Sequence, residues 1–228
     1  MFQQTRAASI LILAGALLAA GCGVPDTQAA PPATEAAPPA ATPPAAAAPV
    51  AYRIDATHSQ VLFKITHLGI TPITGRFNQV SAEVVFDSAN PAASRVTARI
   101  PTASLDTNLP PRDQHLRGAD WFDAARFPEA VFTSRTVTPR GGRRYSIAGE
   151  LHMKGIKRPL VLDAVYNGRV EMGVDSLPHA GFVATGTVRR SEYSIGRTVR
   201  LPGNVDDLAD EVQLILELDL VPHDARQP

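Results

Sequence analysis

The chain has 228 residues, 22 basic and 22 acidic side chains, a formal net charge of zero and one cysteine. A balanced chain without a basic stripe has nothing to grip a phosphate backbone, so nucleic-acid binding is excluded. The lone thiol, Cys22, rules out a disulfide scaffold and any thiolate-held metal in the rest of the chain.

Residues 1–22 read as a signal segment. One cation, Arg6, precedes the apolar run 7–20, which is too short and wrongly flanked to span a membrane. The run ends in Leu18-Ala19-Ala20-Gly21-Cys22, which resembles a bacterial lipobox, whose cysteine is lipidated and becomes the new N-terminus. The alternative is an ordinary signal peptide that carries a cysteine near its cleavage site. Residues 23–50 are almost entirely Ala, Pro and Thr, with Asp26 and Glu35 as the only charges. Such a segment buries too little apolar surface to offset its conformational entropy. Its proline pairs favour an extended, semi-stiff tether of about 3 Å per residue. The chain is therefore expected in the cell envelope as a periplasm-facing lipoprotein held by Cys22. Gly23, where an aspartate would mark inner-membrane retention, favours the outer membrane in a Gram-negative cell.

Residues 51–222 are long enough for one domain with a sizeable core, followed by a short tail over 223–228. Their dominant period is two. Val61, Phe63, Ile65 and His67 share a parity opposite to Gln60, Lys64 and Thr66; Ala82, Val84 and Phe86 oppose Glu83 and Asp87; Val96, Ala98 and Ile100 oppose Thr97 and Arg99. Tyr145, Ile147 and Leu151 oppose Ser146 and Glu150, and Phe182, Ala184 and Val188 oppose Thr185 and Thr187. From Val212 to Leu220 the apolar residues alternate with Glu211, Gln213, Glu217 and Asp219. Each pattern predicts a strand with one face in a core and one in water. Turn residues separate the strands, which implies antiparallel meander pairing. The exception is 112–122, containing Asp113, Leu116, Trp121 and Phe122 after two prolines, which predicts a short helix. The expected fold is all-β, with about eight long strands in a closed barrel or a tight sandwich.

Ordered motifs add a second line of argument. Tyr52-x-x-Asp55-x-x-His58-Ser59-x-x-x-Phe63-x-Ile65-x-His67-Leu68-Gly69-Ile70 is followed by Gly75-x-Phe77, Ser104-Leu105-Asp106-Thr107 and Arg112-Asp113-x-His115-Leu116. Then come Asp120-Trp121-Phe122-Asp123, Phe127-Pro128, Gly149-Glu150-Leu151-x-Met153-Lys154-Gly155, Arg190-Ser191-Glu192-Tyr193-x-Ile195-Gly196 and Asp210-Glu211-Val212. In this order they resemble the YceI family, from about Tyr52 to Leu220. Trp121, Arg117 and Arg197 depart from its usual residues. The resemblance implies an extended, lipocalin-like antiparallel barrel with a helix near its mouth. It further implies an elongated apolar cavity for polyisoprenoids, isoprenoid quinones or fatty-acyl compounds, without enzymatic activity.

The candidate ligand-binding residues are Val61, Phe63, Ile65, His67, Arg112, His115, Trp121, Phe122 and Phe182. His67 has inward parity and either ends a strand in a hydrogen bond or donates to a ligand's polar head. Arg112, Asp113 and His115 either support the helix, with Asp113 capping it and Arg112 paired to Asp106 or Asp120, or rim the mouth. His58 is assigned to a turn, His152 to the solvated face, and His179 and His223 to no role. No histidine pair has metal-ligand spacing, so no metal is expected. The absence of a nucleophile elbow or phosphate loop argues against an enzyme. Two functions remain open: an envelope carrier or reservoir for a long apolar lipid, or an interaction module whose barrel is filled by its own side chains. A redox exchange through a bound quinone is a third, weaker possibility. No obligatory cofactor is implied; oligomeric state is left open, with a dimer possible.

Overall fold

The computed structural model describes residues 49–224. The signal segment, Cys22, residues 23–48 of the tether and the last four residues lie outside the described residues. In chain order the strands are β1 Val50–Ile54, β2 Gln60–His67, β3 Thr71–Phe77, β4 Ser81–Phe86, β5 Arg95–Pro101, β6 Leu105–Asp106 and β7 Glu129–Pro139. They continue with β8 Arg144–Met153, β9 Ile156–Val170, β10 His179–Arg189, β11 Arg200–Leu201, β12 Val205–Asp206 and β13 Leu208–Pro222. Val50, read from sequence as tether, already pairs with Phe86 as the first residue of β1.

The strand order β1-β4-β5-β7-β8-β9-β10-β13 is antiparallel throughout, and β13 pairs back onto β1, which closes an eight-stranded barrel. Closure satisfies the edges that an open sheet would expose. The 15-residue β13 serves two partners along one edge, with Leu220 opposite Ile54 in β1 and Leu216 opposite Val61 in β2. β2, β3 and β6 thereby extend the wall beyond the reach of β1, and the two-residue β6 pairs with Arg76 and Phe77 of β3. At one end lie Val50, Pro222 and the 171–178 connection. At the other, the mouth, lie the 68–70 turn, residues 107–128 and the 190–207 loop. The β8–β9 hairpin turns there on Lys154-Gly155, both at positive φ (49° and 76°), as a two-residue hairpin turn requires.

The helix α1 spans Pro110–Leu116, shorter and earlier than the predicted 112–122. Proline suits the first helical turn because the amide hydrogen it lacks has no partner there in any case. Beyond Leu116 the chain breaks into successive turns, with the Trp121 and Asp123 N–H groups both donating to Gly118 O. Trp121 and Phe122 therefore reach the mouth from turns.

Four aromatic rings, Phe86, Tyr145, Tyr166 and Phe182, meet at centroid distances of 4.9 to 5.7 Å in the half of the barrel remote from the mouth. Beyond them Tyr52, Ile54 and Leu220 are buried where the ring of strands closes. Aromatic edge-to-face contacts of this kind add about 1 kcal/mol each beyond area burial.

Candidate functional site

The side chains of inward parity surround a cavity of about 600 Å³. All nine candidate residues lie on its wall: Val61, Phe63, Ile65 and His67 from β2, Arg112 and His115 from α1, Trp121 and Phe122 from the turns, and Phe182 from β10. The space exists partly because small residues let rings turn aside. Gly75 faces Phe63 across the β2–β3 pairing, and a Cβ there would stand 2.2 Å from the ring tip.

Polar groups on the wall gather at the mouth, where His67, Thr107, Arg112, His115, Arg190 and Asp207 face the space. Away from the mouth, the Ser94 hydroxyl is occupied as acceptor for the Asp87 N–H at 3.0 Å. Burial pushes the Tyr166 phenol above its ordinary value. An apolar tunnel with polar atoms at one end suits a long hydrocarbon with a polar head.

The mouth is held by two hydrogen-bond networks. Asp113, buried in α1, accepts from the Thr107 N–H at 2.8 Å and from the Thr107 hydroxyl. Arg112 donates through Nε to Thr107 Oγ1 and through Nη2 to Thr107 O, both at 2.7 Å. This corrects two expectations. Asp113 does not cap α1, whose N-cap is Leu109 without a side-chain bond. Arg112 pairs with neither Asp106 nor Asp120, because its guanidinium is spent on Thr107, and Asp106 holds Arg76 at 3.1 and 3.2 Å instead.

The second network centres on Arg190, only 3% exposed. It donates to Ala209 O (2.9 Å), Ile195 O (3.1 Å), Leu208 O (3.0 Å) and Thr198 Oγ1 (2.9 Å). Its guanidinium lies 5.8 Å from the Trp121 ring, a cation–π contact. Trp121 Nε1–H donates to His115 Nε2 at 3.2 Å. The Trp121 ring also packs on Gly196 at φ +61°, where a Cβ would come within 2.7 Å of the ring. Sequence reasoning missed Arg190, although it shares the inward parity of Phe182, Ala184 and Val188 and closes that series.

The YceI-like domain family pattern matches residues 52–220. The chain belongs to the YceI family. A UPF0312 protein of Shewanella baltica (strain OS155 / ATCC BAA-1091) is 36% identical over 156 residues, 67% of this chain and 80% of that protein. A UPF0312 protein of Yersinia pestis (strain Pestoides F) is 35% identical over 172 residues, 74% of this chain and 84% of that protein. Among solved structures, Burkholderia cenocepacia BcnA superposes with a TM-score of 0.63 at 28% identity, covering 73% of this chain and 98% of BcnA. A polyisoprenoid binding domain from Saccharophagus degradans shares the fold, with a TM-score of 0.50 at 14% identity, covering 76% of this chain and 99% of that domain. The YceI-type, lipocalin-like barrel expected from the motifs is the observed fold.

Proposed function

We propose that this YceI-family protein binds one long apolar lipid, a polyisoprenoid, an isoprenoid quinone or a fatty-acyl chain, as a carrier or reservoir in the cell envelope. The observation that carries the reading is the apolar cavity of about 600 Å³ inside the barrel. Binding sites for small organic ligands span about 300–1,000 Å³, whereas a barrel packed by its own side chains leaves no space of that size. The fold likeness to a polyisoprenoid binding domain supports the same ligand class. Thr107, Arg112, His115 and Arg190 on the wall are held in hydrogen-bond networks at the mouth, which favours a binding protein over an enzyme. Lipidation of Cys22 and the tether up to Pro49 complete the proposal, keeping the barrel beside a membrane, with the outer membrane favoured.

Native mass spectrometry with organic extraction, on protein purified from a bacterial host without detergent, tests the reading. A stoichiometric isoprenoid, quinone or acyl mass is expected. An empty protein that also ignores added quinone and fatty acid would overturn it and return the packed-module alternative.

A further inference from the structure

The signature Asp55-x-x-His58-Ser59 contributes nothing to the cavity wall. Its side chains gather outside, at the end remote from the mouth, where three chain segments meet. The Asp55 N–H donates to Asp219 O at 2.8 Å. Ser59 Oγ accepts the Asp219 N–H at 2.9 Å and donates to Asp219 O at 3.1 Å. These bonds lock the β1–β2 corner against β13 and bring together side chains about 160 residues apart. His58 Nδ1 lies 2.7 Å from Asp55 Oδ2. His179 Nδ1 lies 2.9 Å from Asp219 Oδ1, and its Nε2 lies 3.1 Å from Asp175 Oδ1. The ligand atoms of Asp55, His58 and Asp219 all fall within 4.8 Å of one another.

A second observation sets this cluster apart from a solvated ion pair. His58, His179 and Asp219 also wall a recess of the surface, beside Glu217, Arg143 and Arg169. Neither guanidinium occupies the carboxylates of the cluster: Arg143 donates to Asn167 O at 2.8 Å, and Arg169 pairs with Glu171 at 3.1 Å. The cluster therefore faces an open space, with Asp55 accepting from the Thr57 N–H and paired with His58, and Asp219 paired with His179.

We infer that Asp55, His58 and Asp219 form a site for a divalent first-row transition cation such as zinc, with His179 holding the Asp219 carboxylate in place. One imidazole nitrogen and two carboxylate oxygens are a donor set that zinc accepts, and the imidazole disfavours calcium and magnesium, which prefer oxygen alone. Metal–ligand bonds of about 2.0–2.2 Å put tetrahedral ligands roughly 3.4 Å apart. His58 and Asp55 need open by less than about an ångström for that, and the His58 side chain, 63% exposed, is free to turn. A fourth position falls to water. The site would staple the place where β13 closes the barrel onto β1, remote from the mouth, so cation and lipid should bind independently.

The test uses the full chain with Cys22→Ser and no affinity tag, so that neither a thiol nor tag histidines contribute, after removal of metals with a chelator. Zinc uptake is read by competition with a chromogenic indicator, and the ligand field by visible absorption after cobalt substitution. One equivalent of zinc per chain is expected. His58→Gln and Asp219→Asn should each weaken binding roughly tenfold or more, while His152→Gln, on the opposite part of the barrel surface, leaves it unchanged. Lipid content and circular dichroism should match in all four proteins, which separates loss of the site from loss of the fold. No uptake by the parent protein, or equal uptake by the parent and the His58→Gln and Asp219→Asn proteins, would overturn the inference.

Discussion

Arg190 carries a charge into a place only 3% exposed, and among the described residues its hydrogen-bond partners include no carboxylate. Three carbonyls and a hydroxyl surround it, so its role is to gather the start of β13 and the 190–198 segment around one rigid planar donor. Arg190→Gln would orphan several of these buried acceptors at about 1–3 kcal/mol apiece, so a loss of about 3 kcal/mol or more is expected in chemical denaturation. A loss below about 1 kcal/mol would show that the loop is held by other contacts. The cavity wall makes a complementary prediction. Phe182→Asp places an unpaired carboxylate among Phe86 and Tyr166 and should abolish lipid retention. Val161→Asp on the neighbouring β9 changes a side chain that is 52% exposed and should leave both folding and bound lipid intact. Lipid retained by Phe182→Asp in a folded protein would mean that the occupied space lies elsewhere.

At the level of elements, the corner between β1, β2 and β13 makes stability depend on pH. Hydrogen bonds and charge from Asp55 raise His58, and His179 is raised by Asp175, against partial burial, and by Asp219; the two imidazoles repel each other when both are charged. A group whose pKa is raised on folding stabilises the fold fully below its unfolded value, here 6.5, and the contribution fades as pH climbs through the folded value. Burial alone would raise Asp55, but its bonds from His58 and the Thr57 N–H hold it below 3.8. Asp175 is likewise lowered, by the Leu177 N–H and then by His179. Those carboxylates stabilise the fold above 3.8, and that contribution is lost as acid titrates them. In chelator-treated protein the melting temperature should therefore fall from about pH 6 to about pH 8. The double variant His58→Gln, His179→Gln should show a flatter profile over that range. A parent profile as flat as the variant's would remove these histidines from the stability of the corner.

The same corner marks the limit of what sequence could disclose. β2, β4, β5, β8, β10 and β13 were legible because one face of each meets the interior and the other meets water. β9 was not: Leu160 and Leu162 are buried while Val161 and Val165 are exposed, so both parities are apolar and the alternation vanishes. The helix was placed late because Trp121 and Phe122 look like an apolar helical face, whereas Gly118 accepts the N–H groups that end it in turns. The five strand residues among the candidates, Val61, Phe63, Ile65, His67 and Phe182, stand on the cavity wall because strand parity decides inward from outward, whereas Arg112, His115, Trp121 and Phe122 reach it from the helix and the turns. The cluster escaped because, although His58 pairs locally with Asp55, His179 and Asp219 meet from distant parts of the chain, and no local spacing announces that contact.

For the whole molecule, the decisive quantity is what fills the space that closure creates. The wall runs apolar from Leu208 near the mouth to Leu218 beside Phe182, a span of about 30 Å at roughly 3.3 Å per residue. A hydrocarbon threaded from the mouth gains about 0.8 kcal/mol for each methylene it buries. Each added pair of methylenes should therefore tighten binding by roughly tenfold, until the chain meets the rings of Phe86, Tyr166 and Phe182. Beyond that length further carbons stay in water and the affinity should level off. Titrating delipidated protein with saturated fatty acids of increasing length, by calorimetry or by the rise in melting temperature that ligand linkage produces, reads both the slope and the plateau. A slope without a plateau would describe a chain lying along an open groove and would contradict the aromatic stop. Indifference to chain length would mean that burial along the barrel is not the source of affinity, and the carrier reading would fail with it.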